Sequence, residues 1–144
     1  TTSYQFSSGL KIGTAYSNLD GRYDSDADGR VDKDLDGRNI AANRWNSFVE
    51  GSLTQQFDAR LQYSKLLDRD FDGGLPQYNF EGYDLVDLIM TYDTLSAGKL
   101  TLGIQNVLAE EYITYFSQSY PATTDDNYVS GRGRVITLGW KMNL

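Results

Sequence analysis

The chain has 144 residues, including 11 tyrosines, carries a formal charge of −7, and contains neither cysteine nor histidine. The missing cysteines exclude a disulfide framework and a thiolate metal site, and the missing histidines remove the commonest general base, so the composition predicts no enzyme activity. The negative charge disfavours nucleic acid as a partner, because neutralising phosphates needs a clustered excess of Lys and Arg. No apolar run reaches the roughly 18 residues that a transmembrane helix needs.

Apolar and polar residues alternate with a period of two along most of the chain, which predicts β-strands with one apolar face. The predicted strands, in chain order, are 2–6, 9–19, 43–56, 60–67, 83–95, 99–116 and 134–144. The pattern is cleanest in the last strand, whose apolar face consists of Ile136, Leu138, Trp140, Met142 and Leu144. The sequence therefore predicts an all-β chain, an antiparallel meander of about seven strands.

The connections between the predicted strands alternate between short and long. Tight turns are predicted at 7–9, 57–59 and 96–99, and long polar loops at 20–42, 68–82 and 117–133. Alternating side chains fit either the half-buried sheet of a soluble protein or the wall of a membrane barrel. The sorting by length favours the barrel, because outer-membrane barrels have short periplasmic turns and longer external loops. We therefore expect the three long loops to lie on the external side of a transmembrane β-barrel.

Two sequence motifs near the end of the chain carry a family resemblance. The first is Leu100-Thr101-Leu102-Gly103-Ile104-Gln105-Asn106-Val107-Leu108-Ala109-Glu110-Glu111-Tyr112, and the second is Gly131-Arg132-Gly133-Arg134-Val135-Ile136-Thr137-Leu138-Gly139. They resemble the penultimate strand and the entry to the final strand of TonB-dependent outer-membrane receptors. The resemblance is close over 83–144 and loose over the whole chain. The family usually ends in an aromatic residue, whereas this chain has Leu144.

The resemblance implies both a fold and a function. Residues 1–144 would form the C-terminal portion of a barrel of about 22 strands in the bacterial outer membrane, with the plug domain and the remaining strands absent from this sequence. The implied function is the import of a ferric siderophore, for which this portion supplies barrel wall and external loops. The implied partners are outer-membrane lipid, the ferric siderophore and the TonB complex, which would act through the missing N-terminal plug.

An acidic segment in the first long loop is the candidate metal site. Residues 24–32 fit the pattern D-x-D-x-D-G-x-x-D, in which alternating carboxylates converge on a hard cation, and a second D-x-D-x-D-G follows at once. The twelfth position of the first loop is Leu35, where an EF-hand needs a bidentate Glu, so an ordinary EF-hand is excluded. A shorter calcium loop and a merely solvated acidic loop both stay open. The candidate ligands are Asp24, Asp26, Asp28, Asp32, Asp34 and Asp36.

Aromatic and basic residues surround the last predicted external loop. In a siderophore receptor, Tyr115, Tyr120 and Arg132 could contact an anionic ferric chelate. The tyrosines also fit an interfacial girdle, in which amphipathic rings lie at the level of the lipid headgroups. Ligand contact and membrane anchoring are both compatible with this pattern.

Two functions of other classes are also compatible with the sequence. One is a calcium-binding β domain, soluble or at a surface, with an interaction role. The other is a small complete barrel with a structural or porin-like role. Folding in plain buffer would favour the soluble domain over either barrel, because a barrel wall exposes its apolar face.

Overall fold

Nine β-strands and one short helix form in the described residues of the protein. The structure is a computed structural model and describes residues 1–35, 37–71, 79–119 and 129–142. The strands are β1 (Thr2–Gln5), β2 (Lys11–Ser17), β3 (Arg22–Tyr23), β4 (Lys33–Asp34), β5 (Arg44–Ser52), β6 (Phe57–Leu66), β7 (Tyr83–Asp93), β8 (Lys99–Gln105) and β9 (Val135–Lys141). The helix, α1 (Tyr115–Gln118), lies between β8 and β9. None of the helical residues described forms a segment long and apolar enough to cross a membrane.

Seven of the strands form one antiparallel sheet in the order β1-β2-β5-β6-β7-β8-β9. Each strand pairs with the next one along the chain, except that the hairpin of β3 and β4 is inserted between β2 and β5. This order confirms the predicted meander of about seven strands. Within the described residues the sheet does not close into a barrel, so β1 and β9 are its two edges.

The connections are sorted by length, as the sequence predicts. The short ones, 6–10, 53–56 and 94–98, lie at one end of the sheet, which we call the turn end. The long ones, 18–43, 67–82 and 106–134, lie at the opposite end, which we call the loop end. Gly9 and Gly98 have φ values of 88° and 104°, a left-handed conformation that glycine adopts without a steric penalty. These two residues allow the chain to reverse within a few positions.

Two predicted boundaries are wrong. The strand predicted at 99–116 ends at Gln105, because Asn106 takes a left-handed φ of 51° and the chain then continues into α1. The tight turn predicted at 57–59 lies instead at 53–56, since the N–H groups of Leu53 and Thr54 both donate to the carbonyl of Phe57. Phe57 therefore already belongs to β6.

The register places apolar side chains on one face of the sheet, as the alternation predicts. Directly opposite residues share a face, and one row crosses all seven strands: Tyr4, Ile12, Val49, Leu61, Leu88, Ile104 and Ile136. A second row, nearer the turn end, contains Ala59, Met90, Leu102 and Leu138. We call this side of the sheet the apolar face. The opposite side, which carries Lys11, Glu50 and Arg60, is the polar face.

The buried cluster of the described residues lies at the loop end, on the polar face. It consists of Ala42, Leu66 and Phe80, which are buried, and of Phe71, Tyr83 and Tyr115, which pack against them. Leu66 and Tyr83 stand opposite each other on β6 and β7, whereas the other four residues belong to the three long connections. The long connections therefore fold onto the loop end of the polar face.

Candidate functional site

The apolar face has aromatic residues in a row at each end, and aliphatic residues predominate in the two rows that cross its middle and its turn-end half. At the turn end a row contains Phe57, Tyr92, Leu100 and Trp140. At the loop end Tyr16 stands opposite Trp45, and the same row continues with Lys65 and Asp84. The ammonium of Lys65 lies 3.2 Å from the carboxylate of Asp84. Aromatic rows thus lie at both margins of the apolar face, and charges join the row at the loop end.

Large hydrophobic side chains on the apolar face are exposed. On β9, the exposed fractions are 65% for Ile136, 70% for Leu138 and 64% for Trp140, and Tyr16 on β2 is 58% exposed. Leaving apolar surface in water costs roughly 25 cal/mol per Å². Contiguous exposed patches of this kind mark surfaces that contact lipid or another protein. The apolar face is therefore the first candidate functional surface.

The polar face carries a charge network near the turn end. Glu50 pairs with Lys11, 3.4 Å away, and with Arg60, which also donates to the side chain of Gln62. The guanidinium of Arg60 lies 4.1 Å from the ring centroid of Phe48, close enough for a cation–π contact. These side chains satisfy one another across neighbouring strands, so the polar face needs no apolar cover at this point.

The β3–β4 hairpin brings together three of the six predicted calcium ligands. Carboxylate oxygens of Asp24, Asp26 and Asp28 lie within 4.8 Å of one another. The loop turns sharply because Asp24 accepts a hydrogen bond from the N–H of Gly29 at 2.7 Å, and Gly29 has a left-handed φ of 87°. Calcium takes six to eight oxygen ligands, so carbonyls and water would have to supply the rest.

Two other predicted ligands, Asp32 and Asp34, do not join this group and have different partners. Asp32 accepts hydrogen bonds from the backbone N–H and the hydroxyl of Ser25, at 2.9 and 2.7 Å. Asp34 pairs with Arg22 across the hairpin at 3.4 Å. Asp36 lies outside the described residues. Calcium binding at the hairpin stays a prediction, now centred on Asp24, Asp26 and Asp28.

Hydrogen bonds lower the pKa of two of the candidate aspartates. The N–H of Gly29 holds the pKa of Asp24 below its ordinary value of 3.8. The hydroxyl of Ser25, followed by its backbone N–H, lowers the pKa of Asp32 in the same way. Both groups are therefore negatively charged at neutral pH, which a cation site requires.

The residues predicted to contact a ligand occupy different environments. Tyr115 packs edge-on against Phe80, with ring centroids 4.6 Å apart, and its hydroxyl donates to the carbonyl of Ile40 at 2.7 Å. Its side chain thus joins the first and the last long connection. Arg132 is exposed. Tyr120 lies outside the described residues.

The two sequence motifs that carry the resemblance contact each other. Asn106, from the first motif, is 3% exposed, and its side-chain amide donates to the carbonyl of Arg132, from the second. The ring of Tyr112 lies where a β-carbon on Gly131 would be, and the N–H of Gly131 donates to the carbonyl of Tyr112 at 2.8 Å. Sequence reasoning did not predict these contacts. Asn106 itself was the available signal, since Asn tolerates the left-handed conformation.

No family profile, curated protein or solved structure matches the chain.

Proposed function

We propose that this chain forms closing strands of an outer-membrane β-barrel and that the barrel imports a ferric siderophore. The observation that carries the membrane part of the proposal is the row of apolar residues that crosses all seven strands, from Tyr4 to Ile136. In a soluble sheet such a row packs against another layer. Here the large side chains on β9 stay exposed.

The position of the buried cluster supports the same proposal. The described parts of the long connections pack on the polar face, against Leu66 and Tyr83, while large side chains of the apolar face stay exposed. A soluble domain would fold its connections over the apolar side, because burial of that side contributes most of the stabilisation. Loops that fold inward over the polar lumen fit a barrel in which lipid covers the outside.

Detergent dependence tests the membrane part. We expect the chain to aggregate in plain buffer and to give a cooperative β-sheet unfolding transition in detergent micelles. Sedimentation and circular dichroism in both media measure this. A monomeric, cooperatively folded chain in plain buffer would refute the barrel and favour the soluble calcium-binding domain.

The siderophore part of the proposal rests on the resemblance of 100–112 and 131–139 to TonB-dependent receptors. It is tested in cells that carry or lack the gene, by uptake of radiolabelled ferric siderophores. We expect loss of the gene to abolish uptake of at least one ferric chelate and to leave uptake of free glucose unchanged. Equal uptake of every ferric chelate tested would remove the transport proposal while leaving the barrel intact.

A further inference from the structure

A cleft of about 930 Å³ lies at the loop end between the connection 67–82 and the connection 106–134. This volume lies at the upper end of the range for small-molecule sites, about 300 to 1,000 Å³. Glu81, Tyr83 and Gln118 line it, together with Glu110, Glu111 and Tyr112. The cleft is separate from the aspartate hairpin and from the apolar face.

Two side-chain amides hold the backbone of two glutamates that line the cleft. Gln118 accepts a hydrogen bond from the N–H of Glu81 and donates one to its carbonyl, both at 3.0 Å. Asn106 does the same for Glu110, at 2.8 and 2.9 Å. Each amide makes the pair of hydrogen bonds, to one N–H and one C=O, that a neighbouring strand would otherwise make. The backbone of both glutamates is therefore held in position before any ligand arrives.

Two aromatic rings also line the cleft. The rings of Tyr83 and Tyr112 contact each other at a tilt of 32°, with their centroids 4.1 Å apart. Tyr112 is held in turn by Gly131, since a larger residue there would collide with its ring. The faces of the two tyrosine rings suit contact with the apolar body of an organic molecule.

The charge around the cleft is negative. None of the described residues that line it is Lys or Arg. The described residues of the three long connections include 11 acidic and 7 basic ones, a net charge of −4, whereas the strands and tight turns carry +1. Because all three connections lie at the loop end, the field there attracts cations and repels anions.

We propose that this cleft binds an organic cation, a ligand with a protonated amine and an apolar body. The carboxylates of Glu81, Glu110 and Glu111 accept hydrogen bonds from the ammonium group, and charge-assisted bonds of this kind are stronger than neutral ones. The tyrosine rings contact the apolar body and add cation–π attraction. The site does not depend on membrane placement. A consequence for transport, which rests on the proposed function, is that the imported chelate carries positive rather than negative charge.

The test compares tyramine, which carries one ammonium group, with the neutral N-acetyltyramine, by titration calorimetry on the protein in a zwitterionic detergent. We expect tyramine to bind roughly tenfold more tightly, the factor expected from a few exposed charge contacts. Equal binding of the two compounds would overturn the proposal, and so would no binding of either. Detergent dependence decides the membrane proposal separately, so either proposal can fail alone.

Matched variants locate the binding. The double variant Glu81→Gln/Glu111→Gln removes one charge from each connection that forms the cleft. The control Asp20→Asn/Asp70→Asn removes two exposed charges at the same end that do not line it. We expect the glutamate variant to lose roughly tenfold in affinity for tyramine and the aspartate variant to stay within about twofold. Equal losses of affinity in both variants would assign the attraction to the overall charge of the loop end and overturn the proposed site. Unchanged midpoints of urea unfolding verify that both variants fold.

Discussion

The side-chain amide of Asn106 donates a hydrogen bond to the carbonyl of Arg132, 26 residues later, near the start of β9. The backbone N–H of Asn106 also donates to the carboxylate of Asp87 on β7, at 2.9 Å. One buried residue therefore connects β7, the end of β8 and the approach to β9. The last long connection is tied to the sheet at this point.

Replacing Asn106 with Ala should destabilise the protein more than a strand substitution beside it. The change removes the hydrogen bonds of the buried side chain to the backbone of Glu110 and Arg132, a cost of about 1 to 3 kcal/mol, and puts Ala at a left-handed φ. Gln105→Ala, at an exposed position, should cost less than about 0.5 kcal/mol. Urea unfolding in detergent measures both free energies. Equal costs would show that the contacts of Asn106 contribute little.

The two faces of β8 should respond differently to a charge. Leu102 lies on the apolar face and Thr101 on the polar face. In a lipid-facing wall, Leu102→Lys should destabilise the protein folded in vesicles by about 2 to 4 kcal/mol. Thr101→Lys should change the stability by less than about 1 kcal/mol. Equal effects of the two lysines would contradict the assignment of faces.

The tryptophans report on both margins of the apolar face. Trp45 lies at the loop end and Trp140 at the turn end, and each indole N–H has an acceptor within the protein, Thr14 at 2.6 Å and the carbonyl of Ala97 at 3.0 Å. We expect brominated lipids to quench the fluorescence of both Trp45→Phe and Trp140→Phe, because either remaining indole contacts lipid. Strong quenching by aqueous iodide, without an effect of the lipids, would place the face in water.

Calcium binding at the hairpin should depend on the aspartates that the structure brings together. Asp26→Asn removes one of the three clustered carboxylates, whereas Asp34→Asn removes one that pairs with Arg22 instead. We expect terbium luminescence, read as displacement by calcium, to show a loss of affinity of about tenfold for the first variant and little change for the second. Unchanged affinity in Asp26→Asn would contradict a calcium site at these aspartates and would favour a solvated acidic loop.

Acid should loosen the hairpin. The pKa values of Asp24 and Asp32 are lower in the folded protein than the ordinary value of 3.8. A depressed pKa contributes stability that is fully present above that ordinary value and is lost as the pH falls through the folded one. Exchange of the Ser25 and Gly29 amide protons should therefore become less protected below about pH 3.8, in calcium-free buffer. In Asp32→Asn, protection at Ser25 should be low at every pH, and a wild-type level of protection there would contradict this account.

Much of the sheet is predictable from the sequence because its pairings join strands that follow one another. Alternation assigns Ile136 and Leu138 to one face, and the connection lengths order the strands. The end of β8 was not predictable, because the apolar pattern continues past Asn106 while the backbone turns away. The hydrogen bonds that the side-chain amides of Asn106 and Gln118 make to backbone groups depend on where those groups lie in the fold. No local sequence pattern encodes that position. The same reason hid the departure of Asp32 and Asp34 from the aspartate cluster.

The seven-stranded sheet begins and ends on strands that run in the same direction. Neighbours alternate in direction, so β1 and β9, the first and the seventh in order, are parallel to each other. The two free edges cannot close on one another as an antiparallel pair. Two copies with the same orientation in a membrane could not join edge to edge in that way either. A fully antiparallel ring that contains one copy of this sheet therefore needs an odd number of additional strands between β9 and β1.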